Sequence, residues 1–261
     1  MAALGNGIRA LSLDLGETTF WDTAEIARAQ GTLRIEILGG GLGDRHGRPL
    51  GGAAVGRGRS AVLARWSARG LLASSLPNAK LIEEVRRELG AKLLLPLDEL
   101  AQRYSDAGLH EHPPHLNPQA RELILQALRA GLKVMAISDT SRSGPTWLSY
   151  LREVVAPGVA SVTTSCDVSV RKPDPRLFLA AARSIEVAPT EILHVGDRWD
   201  RDVAGGEASG MRTALYTGLW SKYWNLEEGP PRPPPKGTST PVLKDLTEVA
   251  ALLGISKTSD P

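Results

Sequence analysis

Four short motifs contain the residue types needed to transfer a phosphoryl group. Asp14 lies in LSLDLGETT, Ser138 in VMAISDTS, Lys172 in RKPDPRLF and Asp197 in ILHVGDRWDRD. A carboxylate can act as a nucleophile, and a hydroxyl and an ammonium can stabilise negative charge on a phosphoryl group. A second carboxylate completes a set of oxygen ligands of the kind that Mg²⁺ prefers. The motifs therefore favour Mg²⁺-dependent phosphoryl transfer.

The motifs lie in a chain that alternates between short apolar segments and helical patterns. Three of the chemical residues, Asp14, Ser138 and Asp197, end apolar runs that are typical of buried strands. Further strands are predicted at residues 159–164 and 213–216, and helices at residues 117–131, 145–155 and 200–209. Another helix is predicted to begin at Pro175. This alternation predicts an α/β fold with a doubly wound, mostly parallel sheet and helices on both faces. Active sites in such sheets lie at the carboxyl ends of the strands, where these three residues fall.

Residues 21–115 lack this alternation. Residues 60–70, 79–89 and 97–107 have helical periodicity, so we predict an inserted, mostly helical cap at 21–115 and a core formed by residues 1–20 and 116–261. Within the cap, residues 32–38 alternate like a strand. Residues 39–59 are rich in Gly and Arg, which predicts either a flexible surface loop or a loop that cradles phosphate.

The C-terminal part of the chain contains a second irregular stretch. Residues 227–240 (EEGPPRPPPKGTST) are typical of a semi-rigid polyproline connector. After this stretch, residues 241–254 are predicted to return to the core as a short strand and a helix.

Composition excludes several classes of partner. The formal charge of +2 over 261 residues is too small and too evenly spread to indicate nucleic-acid binding. A single cysteine, Cys166, excludes an internal disulfide and fits a reducing cytoplasm. The N-terminus lacks a signal-peptide pattern, and its apolar run is too short to span a bilayer. We therefore expect a cytoplasmic protein without a membrane partner, while the sequence predicts no oligomeric state.

The order and wording of the motifs resemble those of the haloacid dehalogenase-like (HAD) superfamily, in its aspartate-nucleophile phosphatase branch. The strongest match is KPDP followed by VGDRWDRDVAGGEASGM, between residues 171 and 211. This resemblance implies a HAD-like Rossmannoid core with an inserted cap. It also implies that a small phosphorylated metabolite is hydrolysed through an aspartyl-phosphate intermediate, with Mg²⁺ as the cofactor.

The resemblance also implies a role for each motif residue. Asp14 would be the nucleophile and, with Asp197 and the backbone carbonyl of Gly16, would bind Mg²⁺. Three further residues would have catalytic roles. Ser138 would donate a hydrogen bond to a phosphoryl oxygen, and Lys172 would pair with Asp14 and the phosphate. Asp202 would orient Lys172 or a metal-bound water.

Glycine at position 16 departs from the pattern of the phosphatases, in which a second aspartate protonates the leaving group. General acid–base help of this kind is worth roughly 100- to 10,000-fold. The chain is then a phosphatase with another acid, for which Glu17 is the nearest candidate, or a phosphonatase-like C–P hydrolase that uses Lys80 or Lys92. A third alternative is a catalytically weak binding protein. The intact Gly196-Asp197 pair argues against a metal-independent dehalogenase.

Other polar residues receive structural interpretations. Asp139 and Thr140 are predicted to cap the following helix, and His194 to be a core histidine. Phe20 and Trp21 either line the substrate entrance or pack a hinge. The residues His110, Glu111, His112 and His115 favour a solvated hinge beside Pro113-Pro114 over a metal site.

Overall fold

The computed structural model describes residues 7–219 and 233–255. Its strands are, in chain order, β1 (Ala10–Leu13), β2 (Phe20–Trp21), β3 (Leu42–Gly43), β4 (Lys92–Leu93), β5 (His115–Leu116), β6 (Lys133–Ser138), β7 (Ser161–Thr164), β8 (Ile192–Gly196), β9 (Arg212–Tyr216) and β10 (Val242–Leu243). Its α-helices are α1 (Ala24–Gly41), α2 (Gly52–Ser67), α3 (Asn78–Glu88), α4 (Leu97–Asp106), α5 (Pro118–Arg129), α6 (Gly144–Val154), α7 (Ser165–Val168), α8 (Pro175–Ser184), α9 (Ala204–Ala208) and α10 (Thr247–Leu252). A π-helical turn, Trp199–Val203, precedes α9.

Six strands form one parallel sheet in the order β10-β9-β8-β1-β6-β7. The chain leaves β1 toward β6 and β7 on one side and later returns to β8 and β9 on the other. The strand order therefore reverses beside β1, which creates the crevice in which doubly wound sheets bind ligands. The predicted α/β class is confirmed.

Both faces of the sheet are covered, which explains why its central strands are almost entirely apolar. On one face, Leu11 and Leu13 of β1 belong to a cluster that includes residues of α5, α6 and α10. On the other face, Ala10 joins a cluster with Leu177 and Phe178 of α8. The alternation of β1 between the two clusters fixes its register, because a slip by one residue would exchange the faces.

Side-chain caps start the core helices near the predicted positions. Asn117 accepts a hydrogen bond from Gln119 N at 3.1 Å, and proline follows it as the first residue of α5. The prediction that Asp139 and Thr140 cap the next helix is wrong. Helix α6 begins later, at Gly144, and Ser143 is its N-cap residue. The closing strand and helix predicted for residues 241–254 are confirmed as β10 and α10.

Helices α1 to α4 lie between two short antiparallel strands, β2 and β5. They bury a cluster of their own, which contains Val62, Trp66, Ile82, Leu100 and Tyr104. The three helices predicted in this stretch are confirmed as the second half of α2 and as α3 and α4. The separate core supports the predicted cap at 21–115, and the domain boundaries themselves stay a prediction. We call α1 to α4 the helical insertion.

Two predictions inside the helical insertion are wrong. Residues 32–38 do not form a strand, because they lie in the middle of α1, whose N-cap Thr23 accepts a hydrogen bond from Ile26 N at 3.2 Å. Residues 39–59 are not a long loop, because they contain the end of α1, strand β3, a short turn and the first half of α2.

The glycines of this stretch serve close packing. A Cβ atom added at Gly39 would lie 2.8 Å from the carbonyl oxygen of Leu50, and one added at Gly58 would lie 2.7 Å from Leu89 Cδ2. These glycines let neighbouring segments approach closely, so their number does not indicate a mobile phosphate-binding loop.

The first part of the predicted polyproline connector, residues 227–232, lies outside the described residues. Within the described ranges, no helix combines the length and the hydropathy needed to cross a membrane.

Candidate active site

The strand register brings three motif residues to one edge of the sheet. Leu13 of β1 pairs with Ala136 of β6 and with Val195 of β8. Because these strands are parallel, Asp14, Ser138 and Asp197 follow at the same carboxyl edge. All three residues are buried. Lys172 reaches this edge from the segment that joins α7 to α8.

Lys172 lies at the centre of the site. Its ammonium donates to Asp14 Oδ1 at 2.6 Å and to Asp202 Oδ1 at 2.5 Å, and its side chain is only 3% exposed. Burial by itself lowers the pKa of Lys172, but the carboxylates of Asp14 and Asp202 hold this pKa above its ordinary value. Such charge-assisted hydrogen bonds are short and about twice as strong as neutral ones.

Asp202 is held by partners on three sides. Besides Lys172, it accepts from the backbone N–H of Arg198 at 2.9 Å and contacts His194 Nε2 at 3.2 Å. Burial by itself raises the pKa of Asp202, but Lys172 and His194 hold this pKa below its ordinary value. Gly196 makes room for this arrangement, since a Cβ added there would lie 2.6 Å from Asp202 Cβ.

His194 connects Asp202 to the central strand of the sheet. It is fully buried, it pairs in register with Ser12, and its Nδ1 lies 2.9 Å from Ser12 Oγ. Burial lowers the pKa of His194, so the imidazole is neutral. Because the carboxylate of Asp202 only accepts, Nε2 carries the proton and Nδ1 accepts from the Ser12 hydroxyl.

The carboxyl edge also forms a cluster of negative charge. Asp14, Asp197 and Asp202 each offer an oxygen atom, and these atoms lie within 4.8 Å of one another. Burial, reinforced by Asp202, raises the pKa of Asp14, and burial together with the other two carboxylates raises the pKa of Asp197 well above its ordinary value.

This donor set fits a divalent cation. Hard cations such as Mg²⁺ take carboxylate, carbonyl and water oxygens as ligands, and a cation would remove the repulsion that raises the two pKa values. Gly16 is exposed and follows Asp14 by two residues. Its carbonyl stays a predicted additional ligand.

Asp139 fixes the segment that carries Lys172. Its Oδ1 accepts from the backbone N–H of Lys172 at 3.1 Å, and its Oδ2 lies 3.2 Å from Arg171 Nε. Asp139 therefore joins the end of β6 to this segment, whereas the sequence analysis assigned it to a helix cap. Ser138, directly before it, is buried beside Thr164, its partner in the register of β6 and β7.

Comparison with known sequences agrees with the motif assignment. A family model described as HAD-hydrolase-like matches residues 169–249. A glyceraldehyde 3-phosphate phosphatase of Methanopyrus kandleri is 31% identical over 110 residues, which cover 42% of this chain and 46% of that protein. A phosphoserine phosphatase of Thermus thermophilus is 32% identical over 157 residues, 58% of this chain and 61% of that protein. The chain thus spans about half the length of the curated relatives it matches.

Comparison with solved structures extends the likeness to nearly the whole chain. A 2-haloacid dehalogenase of Pseudomonas syringae pv. Tomato gives a TM-score of 0.58 at 20% identity and covers 95% of this chain and 98% of that chain. A HAD phosphatase of Thermococcus onnurineus gives 0.55 at 18% identity, over 96% and 100%. The matched part of the chain resembles the haloacid dehalogenase-like superfamily. At these identities the structural neighbours establish the HAD fold and leave the reaction open.

The remaining candidates lie apart from this HAD site. His115 stacks on Trp21 with ring centroids 5.4 Å apart, and His110 lies 3.8 Å from Glu153. Among residues 7–219 and 233–255, the only group arranged to hold a metal is the aspartate cluster, which favours the hinge interpretation of the histidines. Lys80 is exposed, and Lys92, also exposed, donates to Arg45 O at 3.1 Å.

Two members of the site were missed in the sequence, although one signal could have revealed both. Ser12 and His194 are polar residues in apolar strands, two residues before Asp14 and three before Asp197. The register of β1 and β8 places these residues opposite each other on one face. A polar pair in an otherwise apolar layer indicates a hydrogen-bonded network.

Proposed function

We propose that this chain is a Mg²⁺-dependent phosphatase that hydrolyses a small phosphorylated metabolite through an aspartyl-phosphate on Asp14. The observation that carries the proposal is the pairing of Asp14 with Lys172 inside a buried carboxylate cluster. The names of the curated relatives, which are phosphatases, support the same class of reaction.

In the proposed mechanism, a carboxylate oxygen of Asp14 attacks phosphorus while the bond to the leaving oxygen breaks. Water then attacks the aspartyl-phosphate, which releases inorganic phosphate and restores the carboxylate. Mg²⁺ held by Asp14, Asp197 and the Gly16 carbonyl would reduce the repulsion between the carboxylate and the phosphate. Lys172 and Ser138 stabilise the charge of the transferring group, and Asp202 keeps Lys172 in place.

The leaving oxygen needs a proton, and Gly16 has no side chain to supply it. Glu17 is the candidate donor, because it is half-buried and its charge contributes to the raised pKa of Asp197. Its φ of 48° is unusual for a residue other than glycine and places it in a tight turn directly after the proposed nucleophile.

The alternatives receive less support. A phosphonatase needs a lysine that forms a Schiff base at the site, and both candidate lysines are exposed on the helical insertion. A protein that only binds ligands has no need of a buried cluster of three carboxylates and one ammonium, which is expensive to desolvate.

The proposal is tested with p-nitrophenyl phosphate and a panel of phosphorylated metabolites. We expect turnover with Mg²⁺, reversible loss with EDTA, and loss in Asp14→Asn, while the exposed Asp98→Asn serves as a matched control that keeps full activity. Turnover in Asp14→Asn above about a tenth of the parent rate would exclude the covalent mechanism. Phosphate release from phosphonoacetaldehyde alone would support the phosphonatase, and no turnover at all would support the binding protein.

A further inference from the structure

Arg34 of the helical insertion contacts the core through only part of its guanidinium group. Arg34 of α1 donates from Nη1 to Ser141 Oγ at 2.8 Å, and its guanidinium carbon lies 5.1 Å from the centre of the Tyr104 ring. Its Nε and Nη2 atoms are buried and have no hydrogen-bond partner within the described part of the chain. Buried donors without partners are rare and costly, so these two atoms call for a ligand.

The two unused atoms form the edge with which arginine binds planar anions. Arg86 of α3 shows this use in the same protein, because its Nε and Nη2 donate to the two oxygens of Glu83, each at 2.7 Å. Arg34 presents the same two-pronged edge, and the described residues pair no carboxylate with it. A carboxylate or a phosphate matches this fork in geometry and charge.

The surroundings of Arg34 are cationic and already satisfied. Arg59 uses Nε to donate to the Tyr104 hydroxyl at 3.0 Å. Arg142 binds Ser105 O and donates to Gln30 Oε1 at 2.8 Å, which links the core to the helical insertion. Burial lowers the pKa of Arg34, and the charge of Arg59 lowers it further. Burial likewise lowers the pKa of Arg142 to about 9, and the charge of Arg34 adds to this effect.

Arg34 lies over the same edge of the sheet as the proposed nucleophile. Its partner Ser141 is three residues beyond Ser138, in the segment that follows β6. Strand β6 is the direct neighbour of β1, at whose end Asp14 lies. Since neighbouring strands are about 4.8 Å apart, the segments that follow β6 and β1 lie side by side at this edge.

We propose that the Nε–Nη2 edge of Arg34 binds a second anionic group of the substrate, a carboxylate or a phosphate, while the phosphoryl group to be hydrolysed lies at Asp14. This inference rests on the proposed phosphatase function and narrows its substrate class. The substrate is a small phosphomonoester that carries another anion a few bonds away.

Matched substrate pairs test the inference. The carboxylate arm compares 3-phosphoglycerate with glycerol 1-phosphate, and the phosphate arm compares fructose 1,6-bisphosphate with fructose 6-phosphate. In Arg34→Met, we expect kcat/KM to fall about 10- to 100-fold for the preferred substrate with two anionic groups, as expected for loss of hydrogen bonds to a charged group. For the partner with a single phosphate group and for p-nitrophenyl phosphate, kcat/KM should change less than about twofold.

Two further variants make the result specific. Arg28→Met removes an exposed arginine from the same helix and should leave kcat/KM unchanged for both substrates of each pair. Arg34→Lys retains a charge but not the two-pronged edge, so its kcat/KM should lie between the values of the parent and Arg34→Met. Circular dichroism should show that Arg34→Lys remains folded. Equal losses on both members of each pair, or no loss on either, would overturn the inference.

A binding measurement separates this inference from the proposed function. Calorimetry with Asp14→Asn and Mg²⁺ should show tighter binding of 3-phosphoglycerate or fructose 1,6-bisphosphate than of the partner with a single phosphate group. This preference should vanish when Arg34→Met is added. A binding preference in Asp14→Asn without turnover in the parent would uphold the anion site and refute the phosphatase function. Turnover in the parent without any binding preference would uphold the phosphatase function and refute the anion site.

Discussion

Replacing Lys172 with methionine is expected to destabilise the protein strongly. Lys172 is bonded to Asp14 at 2.6 Å and to Asp202 at 2.5 Å, and methionine would leave both carboxylates buried without their cation. Breaking a buried ion pair from one side costs about 3–5 kcal/mol. For a domain of 150–250 residues, this corresponds to a Tm lower by roughly 6–20 °C.

The assay is urea unfolding at neutral pH with EDTA, followed by circular dichroism. Lys133→Met is a matched control, because Lys133 Nζ makes a single hydrogen bond, to Ile185 O at 2.6 Å, and its loss should cost only about 1 kcal/mol. The double variant Lys172→Met with Asp202→Asn should be more stable than the sum of the single changes by about 1–3 kcal/mol. Strictly additive effects, or a Lys172→Met protein as stable as the parent, would refute the reasoning.

Three other predictions concern the same site. Burial raises the pKa of Asp197, so the folded protein retains a proton that the unfolded chain has lost, and Asp197 costs stability as pH rises above the ordinary aspartate range. In melting curves with EDTA, the stability of Asp197→Asn relative to the parent should therefore increase as pH rises from about 4 to about 7. Mg²⁺ should reduce this increase. A stability difference that does not depend on pH would contradict the prediction. Gly196→Ala should lower kcat by displacing Asp202, as measured with saturating p-nitrophenyl phosphate, whereas an unchanged kcat would show that the site tolerates the shift. A Cβ at Gly16 meets nothing within 4 Å, so Gly16→Asp fits and should raise the hydrolysis rate of alkyl phosphates more than that of aryl phosphates. If Glu17 is the acid, Glu17→Gln should lower the hydrolysis rate of alkyl phosphates most. Equal effects on both ester types would place the acid elsewhere.

The parallel sheet could be predicted because its signals are local and repeated. Each strand that carries a motif residue is a short apolar run, and the helix before β6 has its own start signal at Asn117-Pro118. Parallel topology then brings the ends of the strands to one edge, which is why Asp14, Ser138 and Asp197 could be grouped before the structure was known. Their chemical roles stay predictions.

The helical insertion was harder to predict because its glycines have a tertiary cause. A glycine that allows a backbone to approach, as Gly39 does beside Leu50, looks in the sequence like a glycine that makes a loop mobile. The alternation in residues 32–38 was equally ambiguous, because a short apolar pattern fits a strand or a helix until packing decides between them. In α1 the cap at Thr23 and the packing of Leu38 against the other helices decide for the helix.

The contacts between the insertion and the core carry information that no local pattern holds. Arg34 and Ser141 are 107 residues apart, and only the folded chain shows that one arginine edge is occupied at Ser141 while the other has no partner. In the sequence, Arg34 is one of several charged residues in an amphipathic stretch, and solvent exposure is the ordinary expectation for it. Specificity in a fold that supports many reactions depends on such side chains, which reach the conserved chemistry from elsewhere in the chain. The proposed substrate class therefore rests on an unsatisfied donor between the helical insertion and the core, whereas the proposed reaction class rests on the motifs themselves.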